Sequence, residues 1–388
     1  MPTDSSKGSA CSTEDCQDSL PELKDSPSPW GSGSCEAGKW AGRPLGELLA
    51  EGWSRLPAGY RIPPETPALE EAEAYCRRLA RSHYENFSVA TWFLPKRLHQ
   101  HFFNVYAYCR ISDDLGDDVG APPLSLALLD RWEDELNAMY RKLGDATAPA
   151  PRPNPALAGA VAAGPRHPVF IALSETVRRF GIPRHEFADL LTAFRQDQTV
   201  ARYQTFDDVL GYCHNSANPV GRLVLYLCGY SDAERQQLSD CTCTALQLAN
   251  FWQDVSVDYL KGRIYLPLED MRRFGVPEQT IAGRAASPEF LRLMRYEVEV
   301  AREWFARGLP LAGKVDRELA LDIELFTRGG QEILNAIERQ GYDVLKSRPV
   351  ISKGRKLALL GGALWRRLSL RQTDDGRFPG SQDSGGRP

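Results

Sequence analysis

Two pairs of aspartates stand four residues apart in the chain, each within a helical pattern. Asp113 and Asp117 form the first pair, and Asp254 and Asp258 form the second. Residues four apart lie on one face of a helix, where two like charges destabilise it by roughly 0.2–0.5 kcal/mol. Clustered carboxylates suit Mg²⁺, which takes oxygen ligands and commonly bridges one or two carboxylates to substrate phosphates. The pairs therefore predict a magnesium site for a phosphorylated substrate.

A third pair with the same spacing, Asp130 and Asp134, shows that spacing alone is weak evidence. Its neighbours Arg131, Glu133 and Glu135 indicate an ordinary solvated helix face, for which we expect no chemical role. For either of the other two helices taken alone, an amphipathic helix with a solvated acidic end stays an open alternative. That two helices share the same layout argues against it.

Other side chains extend both acidic faces towards a phosphate site and a pocket. The faces continue with cationic, aromatic and amide groups: Arg110, Tyr106 and Phe102 before the first pair, and Phe251, Asn250 and Gln247 before the second. Lys261 and Arg263 follow the second pair. If the acidic ends face each other across a helical bundle, Mg²⁺ and a diphosphate would sit above an apolar pocket, with the cations neutralising phosphate oxygens. Loss of diphosphate would leave a carbocation, which aromatic faces stabilise by about 1–2 kcal/mol each.

These residues resemble those of the squalene and phytoene synthases, head-to-head prenyl synthases with the all-α isoprenoid-synthase fold. The resemblance covers Ala68 to Lys356, with acid motifs RISDDLGDD and NFWQDVSVDYLKGRIYLP. It implies catalysis with two or three Mg²⁺ ions bound together with the substrate diphosphate. The implied metal ligands are Asp113 and Asp117 on one side and Asn250, Asp254 and Asp258 on the other. Further positions implied to bind diphosphate or line the site are His83, Arg110, Gln247, Arg263, Tyr265 and Arg348.

Several segments look most like the hydroxysqualene synthases of bacterial hopanoid pathways, among them YENFSVATWFLPKRL and RGGQEILNAIERQGYDVL. That likeness implies ionisation of presqualene diphosphate and capture of the cation by water, without NADPH. Departures from the condensing members fit this branch, because Gln253 replaces an arginine, and Arg195 and Gly330 replace two tyrosines. Head-to-head condensation to squalene, presqualene diphosphate or phytoene-type products stays open as the alternative. The likeness also implies functional coupling to a presqualene diphosphate synthase and to a squalene-forming reductase, and no nucleic-acid partner.

Composition and pattern predict the elements that must position these groups. The 388 residues are 42% hydrophobic and 25% charged, with net charge −4 and no apolar run that could span a bilayer, which argues against a transmembrane enzyme. No secretory signal is visible, so we expect a cytoplasmic protein with reduced cysteines. The piece RKLALLGGALWRRLSLRQ could lie peripherally on the anionic inner membrane. A last helix packed on the core explains it equally well.

Helical patterns, which include Arg184 to Arg202 and Phe206 to Gly229, follow one another without alternating strands. The fold class predicted is therefore an all-α bundle with a central active-site cavity. We expect a disordered tail over residues 1–42, a proline-rich connector over 43–68, one all-α domain over 69–356, and a basic helix with a disordered tail over 357–388. A redox di-metal bundle is disfavoured because such sites need Glu-x-x-His pairs, which the chain lacks. Asn218, Pro219 and Gly221 predict a helix break.

Overall fold

The protein is described by a computed structural model over residues 56–82, 95–117, 119, 122–150, 152, 164–352 and 354–355. These residues form α-helices joined by short turns and contain no strand, only an isolated bridge between Arg202 and Ile264. The predicted all-α class is confirmed. The predicted tail over 1–42, residues 43–55 of the connector and the predicted C-terminal helix and tail over 357–388 lie outside the described residues.

The helices within the described ranges are α1 (Leu69–Ser82), α2 (His99–Asp117), α3 (Pro122–Lys142), α4 (Pro168–Phe180), α5 (His185–Gln196), α6 (Phe206–Ser216), α7 (Asn218–Leu227), α8 (Ala233–Leu260), α9 (Leu268–Phe274), α10 (Glu278–Ala282), α11 (Pro288–Gly308) and α12 (Arg317–Arg339). Short 3₁₀ turns precede α1 and α2 and follow α11. The short helices α9 and α10 were not predicted.

The predicted helix break is confirmed. A continuous helical pattern from Phe206 to Gly229 divides into α6 and α7 at Ala217, whose backbone has φ −116° and ψ −45°. Pro219 stands in the first turn of α7, where its missing N–H is harmless. The helix predicted over Arg184–Arg202 ends early, at Gln196, because the chain then extends to bridge Ile264.

Two apolar cores hold the two acid-bearing helices. Around α2, helices α1, α3, α4 and α5 bury aromatic side chains that include Tyr108, Trp132 and Phe187. Around α8, helices α11 and α12 contribute to a second core with Trp252 and Phe290. Burial of each such side chain contributes roughly 1.5–3 kcal/mol. Each acidic helix end is therefore positioned by its own packed layer.

Helix α7 joins the two layers, because it packs against both α2 and α8. Its approach to α8 depends on Gly221. A Cβ atom at this position would lie 2.5 Å from Cys243 Sγ and closer still to Ser239 Oγ. A larger residue would push the helices apart, and with them the two acidic ends.

No helix within the described ranges is long and apolar enough to cross a membrane.

Glu186, on α5, is a buried acid with an expected effect on stability. Its side chain is 1% exposed, and its oxygens accept no hydrogen bond within the described part of the chain. Arg222 Nη1 lies 3.8 Å away. Burial raises the pKa of Glu186 from its ordinary value of 4.5 to about 7, against the lowering effect of Arg222. Stability gained from the protonated acid is therefore present below pH 4.5 and lost as pH rises through 7.

We expect Glu186→Gln to raise the free energy of unfolding at pH 8 by roughly 1–3 kcal/mol and to have a smaller effect at pH 4.5. Urea unfolding of both proteins across this pH range measures the difference. The matched control is Glu303→Gln on the exposed side of α11, which should change stability little at either pH. An equal effect of Glu186→Gln at both pH values would contradict the buried-carboxylate interpretation.

Candidate active site

The C-terminal end of α2 carries three acids that differ in their surroundings. Asp114 is buried and forms an ion pair with Arg110, whose Nη2 lies 2.5 Å from Asp114 Oδ1. Asp114 also accepts a hydrogen bond from the Tyr60 hydroxyl. The side chains of Asp113 and Asp117 are 50% and 34% exposed. Arg110 also lies 3.9 Å from Asp113. Asp114 thus anchors Arg110 inside the protein, while the two acids of the predicted pair face outwards.

The second acidic end, on α8, is covered by an arginine from the C-terminal part of the described chain. Arg348 pairs with Asp254 through Nε on Oδ1 and through Nη2 on Oδ2, the latter at 2.9 Å. Asn250 Nδ2 donates to the same Oδ2 at 3.0 Å. Gln253 Nε2 donates to the Pro349 carbonyl at 2.6 Å. Gln253 therefore holds the segment that carries Arg348.

The two acidic ends come together, and Arg263 links them. Its Nη2 lies 3.2 Å from Asp117 Oδ1, across from α8. Burial, and then the negative charge of Asp254, raises the pKa of Asp258 to about 7. Asp117 on the facing helix end raises this pKa further, whereas Lys261 and Arg263 lower it. We call the facing ends with Asp113, Asp117, Asp254 and Asp258 the acidic mouth.

A recess of about 330 Å³ opens beside the acidic mouth. Asp117, Lys261 and Arg263 line it, together with Asp197 and the turn residue Gly262, whose φ is +83°. This positive φ suits glycine, because a Cβ atom would be strained there. The turn brings Lys261 and Arg263 next to the acids. An anion placed in the recess would meet both cations.

Asp197 belongs to this site and was missed by the spacing of the sequence motifs. Its oxygens accept hydrogen bonds from Tyr212 at 2.9 Å and Tyr265 at 3.3 Å. Burial raises its pKa to about 6, Asp117 adds to the rise, and Arg263 opposes it. Asp197 has no aspartate four residues away and stood inside the helix predicted over Arg184–Arg202, so only tertiary packing identifies it.

Tyr265 and Phe251 occupy the core beneath the recess. Their rings stack in parallel with centroids 3.9 Å apart, and Tyr203 and Tyr212 complete the aromatic cluster. Phe251 was predicted to line the pocket, but it does not line the apolar cavity below. It turns instead into the α8 core, because the aromatic residues after α5 and α8 pack against it.

An apolar cavity of about 360 Å³ lies between α2, α7, α8 and α12. Phe102 and Tyr106, which were predicted to line the pocket, lie in its wall together with Cys109 of α2. Cys109 lies about one turn before Asp113, Tyr106 lies about one turn further from the acids, and Phe102 about two turns further. Leu246 and Phe326 contribute from the opposite side. The few polar groups in its wall are Ser239, Thr242 and Asp322. The cavity offers an isoprenoid chain a dry environment directly below the acidic mouth.

The remaining predicted residues lie at or outside the mouth. Gln247 is half-buried on α8, one turn before the exposed Asn250, and Lys261 is exposed at the end of α8. His83 lies outside the described residues. The structure therefore brings the predicted acids, cations and apolar pocket into one region, and leaves the role of each as a prediction.

The acids of the mouth fit a divalent cation that is shared with a substrate. Within the described ranges, no three side chains among His, Cys, Asp and Glu converge closely enough to hold a metal on their own. Mg²⁺ commonly uses one or two carboxylates and completes its shell with water and substrate phosphates. Burial and then Asp254 raise the pKa of Asp258, and a cation bound beside this carboxyl would favour its charged form.

The third aspartate pair, Asp130 and Asp134, was predicted to lie on an ordinary solvated helix face, and this prediction is wrong. Asp134 is buried, and the helix face is covered by arginines from other segments. Arg195 donates to Asp130 and to Glu133 at 2.8 Å each, and Arg152 and Arg184 join the same network. Local sequence cannot show that distant arginines will pack on these acids.

Sequence and structure comparisons identify known proteins that are similar to this chain. The squalene/phytoene synthase family matches residues 80–355. The crystal structure of squalene synthase HpnC from Alicyclobacillus acidocaldarius is 42% identical, with a TM-score of 0.62, and the match covers 71% of this chain and 95% of that one. A dehydrosqualene synthase crystallised with a ligand is 26% identical, with a TM-score of 0.65 and coverage of 78% and 98%. The 15-cis-phytoene synthase of Synechococcus elongatus is 26% identical over 315 residues, which are 78% of this chain and 96% of that protein.

Proposed function

Because the chain belongs to the squalene/phytoene synthase family, we propose that it ionises presqualene diphosphate and lets water capture the cation, giving hydroxysqualene and diphosphate. The family consists of prenyltransferase-like enzymes. A prenyl diphosphate substrate is common to this reaction and to the condensing alternative. The choice between them depends on what the site does with the cation.

The observation that supports this choice is the surroundings of Arg195 and Gly330, two positions at which the family resemblance implies tyrosines in condensing members. Arg195 donates hydrogen bonds to Asp130 and Glu133. Gly330 has no side chain and packs against Phe305 and Leu246. Neither position supplies a phenol to the cavity. A site without these two groups is better suited to release of the cation to water than to a guided second rearrangement.

Ionisation breaks the bond between carbon and the diphosphate oxygen, and that oxygen keeps the electron pair. Lys261 and Arg263 in the recess, with Arg348 at Asp254, are positioned to stabilise the charge that develops there. Asp113, Asp117, Asn250, Asp254 and Asp258 would hold Mg²⁺, which when bound neutralises phosphate oxygens and improves the leaving group. Phe102 and Tyr106 present aromatic surface to the cation in the apolar cavity.

Capture by water forms a new carbon–oxygen bond and releases one proton, for which the departed diphosphate is a ready acceptor. No electrons are consumed, so the reaction requires no NADPH. From the family likeness we expect that an enzyme joining two C15 diphosphates supplies presqualene diphosphate and that a reductase converts the alcohol to squalene.

The second candidate is head-to-head condensation of two prenyl diphosphates. Its support is that relatives of this chain include proteins named phytoene synthase and dehydrosqualene synthase. The acids and cations of the mouth would serve that reaction equally well.

The purified protein with Mg²⁺ is expected to convert presqualene diphosphate to hydroxysqualene without NADPH, and to leave farnesyl diphosphate unchanged when it is given alone. Mass spectrometry of the products distinguishes the outcomes. In H₂¹⁸O the alcohol should carry one ¹⁸O atom, because its oxygen comes from solvent. Product from farnesyl diphosphate, together with no turnover of presqualene diphosphate, would establish the condensing alternative instead.

A further inference from the structure

We propose that Asp322 limits the length of the isoprenoid chain that the apolar cavity accepts, because its carboxylate lies in the cavity wall where a chain longer than C15 would cover it. This role rests on the proposed function only in that a prenyl diphosphate binds with its diphosphate at the acidic mouth. We call the end of the cavity furthest from the mouth the deep end, and it is lined by Leu227, Ser239, Leu311, Leu319 and Asp322.

Asp322 reaches the deep end from the second turn of α12 and is 3% exposed. The start of α12 lies beside the start of α8, since the Tyr230 hydroxyl donates to Asp316 at 3.2 Å. Further along, Gly330 of α12 lies against Leu246 of α8. The two helices therefore run in the same direction, and both begin at the deep end.

The length of α8 gives the distance from the acids to the deep end. Asp322 precedes Gly330 by eight positions on α12. Ser239 precedes Leu246 by seven positions on α8, so Asp322 and Ser239 stand at about the same level. Ser239 precedes Asp254 by fifteen positions. At 1.5 Å per residue, the deep end lies about 22 Å from Asp254 along the helix.

A C15 chain ends just short of this level. Carbon–carbon bonds of about 1.5 Å, four to each isoprene unit, give an extended unit of about 5 Å. A C15 chain whose diphosphate is held at the mouth therefore reaches about 15 Å into the cavity. This is close to the level of Thr242, which lies about 18 Å from Asp254 along α8. A C20 chain reaches about 5 Å further, to the level of Asp322.

Asp322 is the one charged side chain among the described residues that line the cavity. The leucines around it at the deep end are buried and apolar. Thr242 is a weaker polar group, because its hydroxyl already donates to the Leu238 carbonyl at 3.4 Å within α8. A chain that enters the deep end therefore meets the Asp322 carboxylate in an otherwise apolar wall.

Covering a carboxylate with hydrocarbon is costly, because the ion loses favourable polar surroundings and gains none from the chain. An additional isoprene unit would normally tighten binding through burial of apolar surface. At the deep end this gain is offset by the cost at Asp322. Each half of presqualene diphosphate is a C15 unit and stops short of the carboxylate, so the cost falls on longer chains alone.

The test compares two substrate analogues of different chain length, the thiolodiphosphates of farnesol and geranylgeraniol. Their sulfur bridge slows ionisation, so isothermal titration calorimetry of the full-length protein with Mg²⁺ measures binding whichever reaction would follow. We expect the wild type to bind the C15 analogue at least about tenfold more tightly than the C20 analogue. Inorganic pyrophosphate, which has no chain, measures binding at the mouth alone.

Asp322→Ala should tighten the C20 analogue by about tenfold or more and change the Kd of the C15 analogue by less than about threefold. Asp322→Asn keeps the size of the side chain and removes its charge, so its preference should fall between those of the wild type and Asp322→Ala. The Kd of pyrophosphate should stay the same in both variants. Circular dichroism and Tm report whether each variant is folded.

The matched control is Ile323→Ala, which enlarges the same cavity at the adjacent residue and keeps the carboxylate. It should retain the preference for the C15 analogue. Equal gains for the C20 analogue in Ile323→Ala and Asp322→Ala would show that volume alone sets the length, and would overturn the inference.

Equal Kd values for the two analogues in the wild type would also overturn it, because the longer chain would then leave the cavity elsewhere, such as between the exposed Val220 and Phe326. Either result leaves the proposed function intact, since that function is tested by the products formed. Failure of the wild type to bind either analogue with Mg²⁺ would overturn both.

Discussion

Replacing Asp254 with asparagine is expected to lower kcat for presqualene diphosphate by roughly 10³-fold, which corresponds to about 4 kcal/mol of lost transition-state stabilisation. The amide keeps the shape of the side chain but removes the negative charge that would hold a cation against the leaving group. Asp113→Asn should have an effect of the same order, because Asp113 is the more exposed acid of the first pair. Product formation by mass spectrometry, under single-turnover conditions, measures the rate of the chemical step.

The fold should survive both substitutions. Arg348 is half-exposed and loses only an ion pair in Asp254→Asn, for which we expect at most about 1 kcal/mol of destabilisation. The matched control is Asp130→Asn, which alters an aspartate with the same i, i+4 spacing in the arginine network of α3. Its rate should stay close to that of the wild type. Helical circular dichroism checks all three variants, and a wild-type rate in Asp254→Asn or Asp113→Asn would refute the assignment of the acids to the metal.

Gly330→Ala is expected to destabilise the protein by roughly 1–3 kcal/mol. A Cβ atom at Gly330 would lie 2.7 Å from Leu246 Cδ2 and closer still to Phe305 Cζ. Both neighbours belong to the packed layer around α8, so relief of the clash requires the Leu246 and Phe305 side chains, or α12 itself, to shift. Urea unfolding measures the loss.

Gly329→Ala is the matched control, because it changes the adjacent residue of the same helix. A Cβ atom there meets nothing within 4 Å. Alanine has a higher helix propensity than glycine, so this variant should be more stable than the wild type by about 0.5–1 kcal/mol. The two substitutions should therefore shift stability in opposite directions, and a stabilising Gly330→Ala would show that α12 does not pack as described.

Local sequence was sufficient to predict most of the helices. The 3.6-residue period of apolar positions reports which face of a helix is buried, and this period is pronounced in α11 and α12. The break between α6 and α7 was also predictable from local sequence, because Asn218 and Pro219 act on their own backbone. The early end of α5 was not, because residues after Gln196 leave the helix to bridge Ile264, more than sixty positions later.

The residues of the candidate site also fall into two groups, those predictable from local sequence and those placed by tertiary contacts. The acid pairs and the cations after α8 follow from spacing along one helix or one turn, so the sequence by itself determined them. Which carboxylates are held by arginines, the inclusion of Asp197 and the turning of Phe251 into the core were decided only by tertiary structure. The contacts of Arg348 with Asp254 and of Arg263 with Asp117 join residues 94 and 146 positions apart. Such contacts exist only once two separate cores have packed, and no local preference of the chain encodes them.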